Sequence, residues 1–240
     1  MGGFMEAIKR PRQLVIIRHA ESARNKARQG NIYFADDDAR ATVKGIPDHK
    51  IPITPHGHDQ AITTGQYLHR YFDMPDYIYH SGYVRTIQTL DCILEAYSWV
   101  ERDQIKIRMN PFIRERDPGF AYDMTTQEAE MHFPYLKEYW QTFGGFFARP
   151  PGGESLADVT ERVYTFLNML FRDRAGQKVW IIVHGGIIKA LRFLLERWTY
   201  DQSMKWLPGE SPENCGVTTY EYNESQERLI LKAYNAIFWK

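Results

Sequence analysis

Two histidines, His19 and His184, each follow directly on a short run of β-branched and other apolar residues. Residues 14–17 lead into Arg18 and His19, and residues 179–183 lead into His184. Such runs are typical of strands that are buried on both faces of a sheet. In open α/β sheets, ligands bind beyond the carboxyl ends of the strands. The pattern therefore predicts one site built around two imidazoles.

The neighbours of these histidines favour an anion with several oxygens, above all phosphate. Arg18 precedes His19, and Arg85 lies at the start of a predicted helix, where the backbone amides also favour an anion. A guanidinium keeps its proton and matches the geometry of phosphate. Its charge should also keep His19 neutral, and a neutral imidazole is a nucleophile as well as a base. Gly185 and Gly186 would let a ligand approach the backbone closely.

Phosphoryl transfer also needs a proton for the leaving alkoxide, and Glu115 is the candidate donor. It follows the third predicted strand and could reach the same crevice. Its flanking arginines favour the carboxylate, whereas burial against bound phosphate favours the acid, so both protonation states stay open.

The other histidines are interpreted as structural. His56 and His58 have no third ligand at a recognisable spacing, so no metal site is predicted.

The elements that must position these residues alternate between strand and helix, which is typical of one α/β domain. We expect a single domain over 1–240, with a three-layer α/β/α fold, a mostly parallel central sheet, a small helical cap and a C-terminal β-hairpin. Strands are predicted over 13–17, 76–80 and 104–109, besides the run before His184. Helices are predicted over 56–72, 84–99, 155–171 and 187–198, and the hairpin over 215–222 and 228–234.

Three segments fall outside this alternation. Residues 1–12 are predicted to be a loose leader. Residues 26–50 are too long for a simple connection, which indicates either a lid or a disordered insertion, with 36–38 as a solvated loop. Residues 110–150 form the predicted cap and are rich in aromatic side chains. Those rings would fill the core of the cap, or some of them would line a substrate pocket or a homodimer contact.

Composition limits the classes of function. The chain has 240 residues, is 43% hydrophobic and carries a formal net charge of 0, so nothing points to nucleic acid or an anionic membrane. No apolar run approaches a membrane span, and the start lacks the apolar core of a signal peptide. Cys92 and Cys215 are too few for a disulfide framework. We expect a reduced, cytoplasmic protein.

Six motifs in order along the chain carry a resemblance to a known family. They are residues 18–22 with Asn25; Asp48 with 52–54, Gly57 and 60–61; 81–85 with Thr86, Gln88 and Thr89; 114–116 with Gly119; 151–155; and 184–186. Together they resemble the signature of the histidine phosphatase superfamily, in its phosphoglycerate mutase-like branch. The resemblance covers about residues 13–195.

The resemblance implies a role for each site residue. His19 would be the nucleophile that becomes phosphohistidine, and Glu115 the proton donor to the leaving group. The phosphoryl oxygens would be held by Arg18, Arg85 and His184, with assistance from Asn25 and Ser22. A small phosphorylated substrate is implied, and neither a metal nor a cofactor.

Three departures from the family pattern bear on the activity. Ala20 replaces the usual glycine of the first motif, and the gap from Asn25 to Asp48 is longer than in compact members. Mutases of the family usually have the sequence His-Gly-Asn at the second histidine, whereas this chain has Gly186 in place of the asparagine. They also usually have further arginines that bind a substrate carboxylate. Between residues 120 and 151, Arg149 is the only arginine of this chain. These differences favour a phosphatase. The alternatives are a phosphoglycerate or bisphosphate mutase, and a non-catalytic phospho-ligand-binding or scaffold protein.

Overall fold

A six-stranded sheet forms the centre of the computed structural model, which describes residues 10–204 and 211–240. Its strands are β1 (Gln13–Arg18), β2 (Tyr77–His80), β3 (Lys106–Met109), β4 (Lys178–Val183), β5 (Val217–Asn223) and β6 (Arg228–Ala236), in the order β3-β2-β4-β1-β5-β6. The first four strands of that order are parallel, and β5 and β6 form the antiparallel hairpin at one edge. The predicted sheet is confirmed.

Helices cover both faces of this sheet. They are α1 (Ala23–Arg28), α2 (Asp37–Ala41), α3 (Pro55–Tyr71), α4 (Val84–Leu94), α5 (Trp99–Gln104), α6 (Thr126–His132), α7 (Leu136–Phe147), α8 (Leu156–Asp173), α9 (Gly185–Leu195) and α10 (Tyr200–Met204). Helix α3 begins with Thr54 as N-cap and a proline in the first turn. Helix α8 begins with a capping box between Ser155 and Asp158.

The alternation of side chains along β1 divides the core into two layers. Leu14 and Ile16 pack with α8 and α9, whereas Val15 and Ile17 pack with α3 and α4. All four residues are fully buried, and each stabilises the fold by about 1.5–3 kcal/mol relative to an exposed position. This arrangement confirms the predicted three-layer α/β/α fold.

The helix predicted over 84–99 is wrong at its C-terminal end. Helix α4 ends at Leu94, and α5 begins after Ser98, which forms a capping box with Glu101. Ser98 accepts a hydrogen bond from the backbone of Glu101, and this cap starts a new helix instead of extending the old one.

Residues 26–50, here called the lid segment, contact the cap, residues 110–150. Phe34 forms a parallel bridge with Thr125, and Arg40 pairs with Glu128 at 2.7 Å. The lid segment contains α2, and Asp36 caps that helix, so the predicted solvated loop at 36–38 is instead a helix start.

The aromatic residues of the cap do not fill a core of their own. Of ten such rings, only Phe146 is buried. Five are exposed, namely Phe112, Phe120, Tyr135, Phe143 and Phe147. The interpretation that they serve mainly burial is therefore wrong. Trp140 and Tyr122 instead line cavities.

Two further points concern the leader and the membrane. Residues 1–9 of the predicted leader lie outside the described residues. None of the helices that the structure describes has the length and apolar content needed to span a membrane.

Candidate active site

The two strand-end histidines meet at one edge of the sheet. Strands β1 and β4 are parallel neighbours, with Arg18 paired to Val183, so the residues that follow them leave the sheet side by side. The ring centroids of His19 and His184 are 5.2 Å apart. Both side chains are almost completely buried. The structure thus brings together the two residues that the strand pattern singled out.

His19 has a defined tautomer, because its Nδ1 lies 2.7 Å from the carbonyl oxygen of Ala20. A carbonyl only accepts, so Nδ1 carries the proton and Nε2 keeps its lone pair. Burial lowers the pKa of His19 well below its usual value, and the charges of Arg85 and Arg18 lower it further. His19 is therefore a neutral imidazole with a free nucleophilic nitrogen.

His184 is held by a chain of hydroxyl groups. Its Nε2 lies 2.8 Å from Oγ of Ser81, which lies 3.1 Å from Oγ1 of Thr86. The Thr86 hydroxyl donates to the carbonyl oxygen of Tyr83, so Thr86 can only accept from Ser81. Ser81 therefore accepts from Nε2 of His184, which leaves the lone pair on Nδ1. That Nδ1 has no hydrogen-bond partner among the described residues.

The pKa of His184 is also well below its usual value. Burial is the main cause, and the positive charge of Arg85 adds to it. The bare Nδ1 lies 3.4 Å from Oε2 of Glu115. An anion bound against it would supply the negative charge needed to protonate this ring, after which it could donate to a phosphoryl oxygen.

Glu115 is partly buried, and about a quarter of its side chain is exposed. Burial raises the pKa of its carboxyl group, and Arg85, whose Nη2 is 3.9 Å away, only partly opposes this. The flanking arginines, predicted to favour the carboxylate, are engaged elsewhere. Arg114 pairs with Glu154 at 2.8 Å, and Arg116 donates to the backbone oxygen of Glu154. Glu115 is thus set to hold a proton.

Arg18 and Arg85 supply positive charge on either side of the histidines. Arg18 donates through Nη1 to the carbonyl oxygen of Pro212, and its buried Nε has no partner among the described residues. Arg85 lies in the first turn of α4. Two guanidiniums beside two neutral imidazoles are able to bind an anion such as a phosphoryl dianion.

Asp48 of the lid segment holds Arg85 in place, a contact that the sequence analysis did not predict. Its carboxylate oxygens accept from Nη1 and Nη2 of Arg85 at 3.3 and 3.1 Å, and its backbone oxygen accepts from Nη1 at 2.7 Å. Arg85 is nearly completely buried, so this fork determines where its charge lies.

Asn25 is oriented by three donors to one oxygen. The backbone N–H and the hydroxyl of Ser22 and the Nδ2 group of Asn214 all donate to Oδ1 of Asn25. A hydrogen bond from Asn25 to a substrate must therefore come from its Nδ2 group. Ser22 is the N-cap of α1 and acts through Asn25. Asn214 also donates to the backbone oxygen of His19, and no sequence spacing indicated it, since 195 residues separate the two.

A cavity of about 800 Å³ opens above these groups. It is lined by Arg18, His19, Asn25, Arg85 and Glu115, and at its outer part by Arg24 and Arg28. Burial and the nearby charge of Arg24 lower the pKa of Arg28 to about 10. The cavity is thus large, polar and rich in guanidinium groups.

Within residues 10–204 and 211–240, two groups of side chains have ligand atoms close enough for a metal ion. His19, Glu115 and His184 form one, and His58, Cys92 and Glu95 form the other. In the first group the charges of Arg18 and Arg85 oppose a cation, so the absence of a metal there stays a prediction. His56 is not part of the second group and instead packs against Trp239.

Comparisons with known proteins show the family and the fold of this chain. Residues 14–235 match the sequence profile of the histidine phosphatase superfamily, branch 1. The chain is 35% identical to a phosphoglycerate mutase-like protein of Arabidopsis thaliana, over 90% of this chain and 76% of that protein. It is 29% identical to a 2,3-bisphosphoglycerate-dependent phosphoglycerate mutase of Rhizobium rhizogenes, over 79% and 82%. A mycobacterial glucosyl-3-phosphoglycerate phosphatase, solved with inorganic phosphate, has a similar fold, with a TM-score of 0.69, 21% identity and coverage of 95% and 99%.

Proposed function

The chain belongs to the histidine phosphatase superfamily, and we propose that it hydrolyses a small phosphomonoester through a phosphohistidine on His19. One observation carries the proposal. His19 is a neutral ring whose Nδ1–H donates to the Ala20 carbonyl, so that Nε2 is free for attack. Beside it lie Arg18, Arg85 and Glu115, whose carboxyl pKa is raised by burial. A nucleophile, positive charge for the phosphoryl oxygens and an acid for the leaving group therefore share one cavity.

In the first step, the Nε2 lone pair of His19 attacks phosphorus. The bond between phosphorus and the ester oxygen breaks, and its electron pair goes to that oxygen, which takes the proton of Glu115. Arg18 and Arg85 bind the phosphoryl oxygens, over which the charge of the transition state is spread. His184 also donates to them, with a proton that its Nδ1 takes from the monoanion of the bound ester and returns when inorganic phosphate leaves. The alcohol then leaves.

In the second step, water attacks the phosphohistidine. Glu115, now a carboxylate, removes a proton from that water, the nitrogen–phosphorus bond breaks, and Nε2 of His19 recovers its electron pair. Inorganic phosphate leaves, and the carboxyl group of Glu115 is again protonated.

A mutase is the second candidate, because Arg24 and Arg28 line the cavity and could bind a substrate carboxylate. Both guanidiniums already donate to the backbone oxygen of Tyr122, and Arg149 is paired with Asp158 at 2.9 Å. A mutase must also keep water from its phosphohistidine, which a closed site achieves. The cavity of about 800 Å³ favours water as the acceptor.

The nucleophile is tested by replacing His19 with alanine. Turnover should be lost to background, and phosphate should be trapped on His19 of the wild type when the reaction is quenched without acid. His132→Ala, which changes an exposed histidine of the cap, is the matched control and should stay fully active. Substantial turnover by His19→Ala would contradict the mechanism. Tight binding of phosphate esters by the wild type without any turnover would support the non-catalytic alternative.

Hydrolysis and phosphoryl transfer are separated by offering 3-phosphoglycerate with a bisphosphate primer. We expect inorganic phosphate to be released much faster than 2-phosphoglycerate is formed. The opposite ratio would favour the mutase.

A further inference from the structure

We propose that the alcohol part of the substrate occupies a second chamber between the lid segment and the cap, and that this chamber selects phosphate esters of alcohols with an apolar, ring-sized body. The inference rests on the proposed function, since it assigns a place to the leaving group of that reaction.

The chamber is a cavity of about 240 Å³ that adjoins the reaction centre. Both cavities are lined by the proton donor Glu115, so they adjoin each other there. The other residues that line both are Arg18, Arg28, Ile32, Arg116, Pro118 and Ser211. Glu115 must face the oxygen of the leaving group when it gives up its proton. The carbon atoms bonded to that oxygen therefore lie beside Glu115, at the border of this chamber.

Apolar side chains form much of the chamber wall, which also includes Arg28. The lid segment contributes Ile32 and Tyr33, the cap contributes Pro118, Ala121, Trp140 and Pro150, and α8 contributes Leu156. The guanidinium of Arg116 lies 5.5 Å over the ring centre of Trp140, and it donates to the backbone oxygens of Glu154 and of Ala148 in the cap. Lys189, which is buried, is the one charged side chain among the described residues that borders this chamber alone.

The size of the chamber suits a ring. An apolar cavity of roughly 150 Å³ in a protein core takes up benzene, so a chamber of about 240 Å³ has room for a ring with its linking atoms. Burying such a ring against Trp140 and Leu156 removes apolar surface from water, and small apolar pockets distinguish substrates by this effect.

Gly186 leaves the passage from Glu115 to the chamber open. A Cβ built at Gly186 would lie 3.4 Å from Oε1 of Glu115, 3.5 Å from Cβ of Arg116 and 3.9 Å from Cδ2 of Leu156. These are contact distances for one methyl group, so alanine fits with small adjustments, whereas a longer side chain must extend into the chamber. Gly186 lies in the first turn of α9 and its φ is not positive, so a side chain there does not strain the backbone.

The experiment compares ethyl phosphate with 2-phenylethyl phosphate, two alkyl esters that differ in the ring. The wild type should have a kcat/KM for the phenylethyl ester that is about tenfold higher or more, because even one added methylene in an apolar pocket changes kcat/KM by about tenfold or more. In Gly186→Leu this ratio should fall to near one, and in Gly186→Ala it should stay close to that of the wild type.

Three outcomes would overturn the inference. One is a ratio of the two kcat/KM values near one in the wild type. This measurement tests the chamber even if the Gly186→Leu protein does not fold. The second is an unchanged ratio in a folded Gly186→Leu protein. The third is a higher kcat/KM for 3-phosphoglycerate than for the phenylethyl ester, which would assign the chamber and Lys189 to an anionic group. Hydrolysis of neither alkyl ester by the wild type would instead contradict the proposed function, and the inference with it.

Discussion

Replacing Glu115 with glutamine separates a proton donor from a group that only shapes the site. Glutamine keeps the size of the side chain and removes its titrating proton, while Nδ1 of His184 is still 3.4 Å from the position of Oε2. An alkoxide needs that proton to leave and a nitrophenolate does not. We expect phosphorylation of His19 by an alkyl phosphate to slow by about 10²-fold or more, and by p-nitrophenyl phosphate far less. That difference corresponds to about 2.7 kcal/mol of transition-state free energy.

The pH dependence of the same variant gives an independent measure. Burial raises the pKa of Glu115, so its acid form persists above the usual range and is lost as the pH rises through the raised value. The pKa of His19 is lowered, so the neutral nucleophile persists well below pH 6.5. Alkyl-phosphate turnover should therefore prefer acidic pH and fall on the alkaline side. In Glu115→Gln that alkaline fall should flatten.

The assay follows phosphohistidine in rapid-mixing experiments quenched without acid. Since Glu115 also activates water in the second step, Glu115→Gln with p-nitrophenyl phosphate should show a burst of nitrophenol equal to the enzyme concentration. Asp117→Asn changes an exposed carboxylate in the same loop and is the matched control. Equal losses on alkyl and aryl phosphates, without a burst, would mean that Glu115 only positions the site.

Three other perturbations test the structure around the site. Asp48→Asn should lower kcat/KM by about tenfold or more, since charge-assisted hydrogen bonds such as those to Arg85 contribute about 1.5–3 kcal/mol. Asp48→Glu should restore part of the lost activity. An unchanged KM and kcat in Asp48→Asn would contradict a positioning role toward Arg85. Gly65→Ala should lower the free energy of unfolding in urea by about 1–3 kcal/mol, because the added Cβ would lie 2.5 Å from the backbone oxygen of Ile93. The control, Thr63→Ala on the exposed face of α3, should change this free energy by less than about 0.5 kcal/mol. Activity should survive exhaustive chelation, since guanidiniums supply the charge on the phosphoryl group, and a loss restored by a divalent cation would contradict that assignment.

The parts of this site that follow from local pattern could be predicted from the sequence. A buried strand predicts where its last residue emerges, and a parallel sheet brings the ends of its strands to one edge. His19 and His184 meet for that reason. Ser98 and Glu101 have the spacing of a capping box, which is a sequence signal for the start of a helix. The apolar spacing that predicts one helix over 84–99 does not detect this break.

Contacts between distant segments could not be predicted in this way. Asp48 and Arg85 are 37 residues apart, and their fork depends on how the lid segment folds back over the sheet. Nothing in the pattern of either segment specifies that path. Asn214 reaches Asn25 and the backbone of His19 only because β5 pairs with β1.

Glu115 shows most clearly why electrostatics cannot be inferred from sequence neighbours. Arg114 and Arg116 flank it in the chain, yet both are held by Glu154, 38 to 40 residues away. The charge that opposes the proton of Glu115 is that of Arg85, which is brought to 3.9 Å by a different strand and helix. Burial outweighs that charge, so the pKa of the Glu115 carboxyl group is raised above its usual value. The protonation state on which the proposed chemistry depends is therefore determined by the fold around the residue and not by its neighbours in sequence.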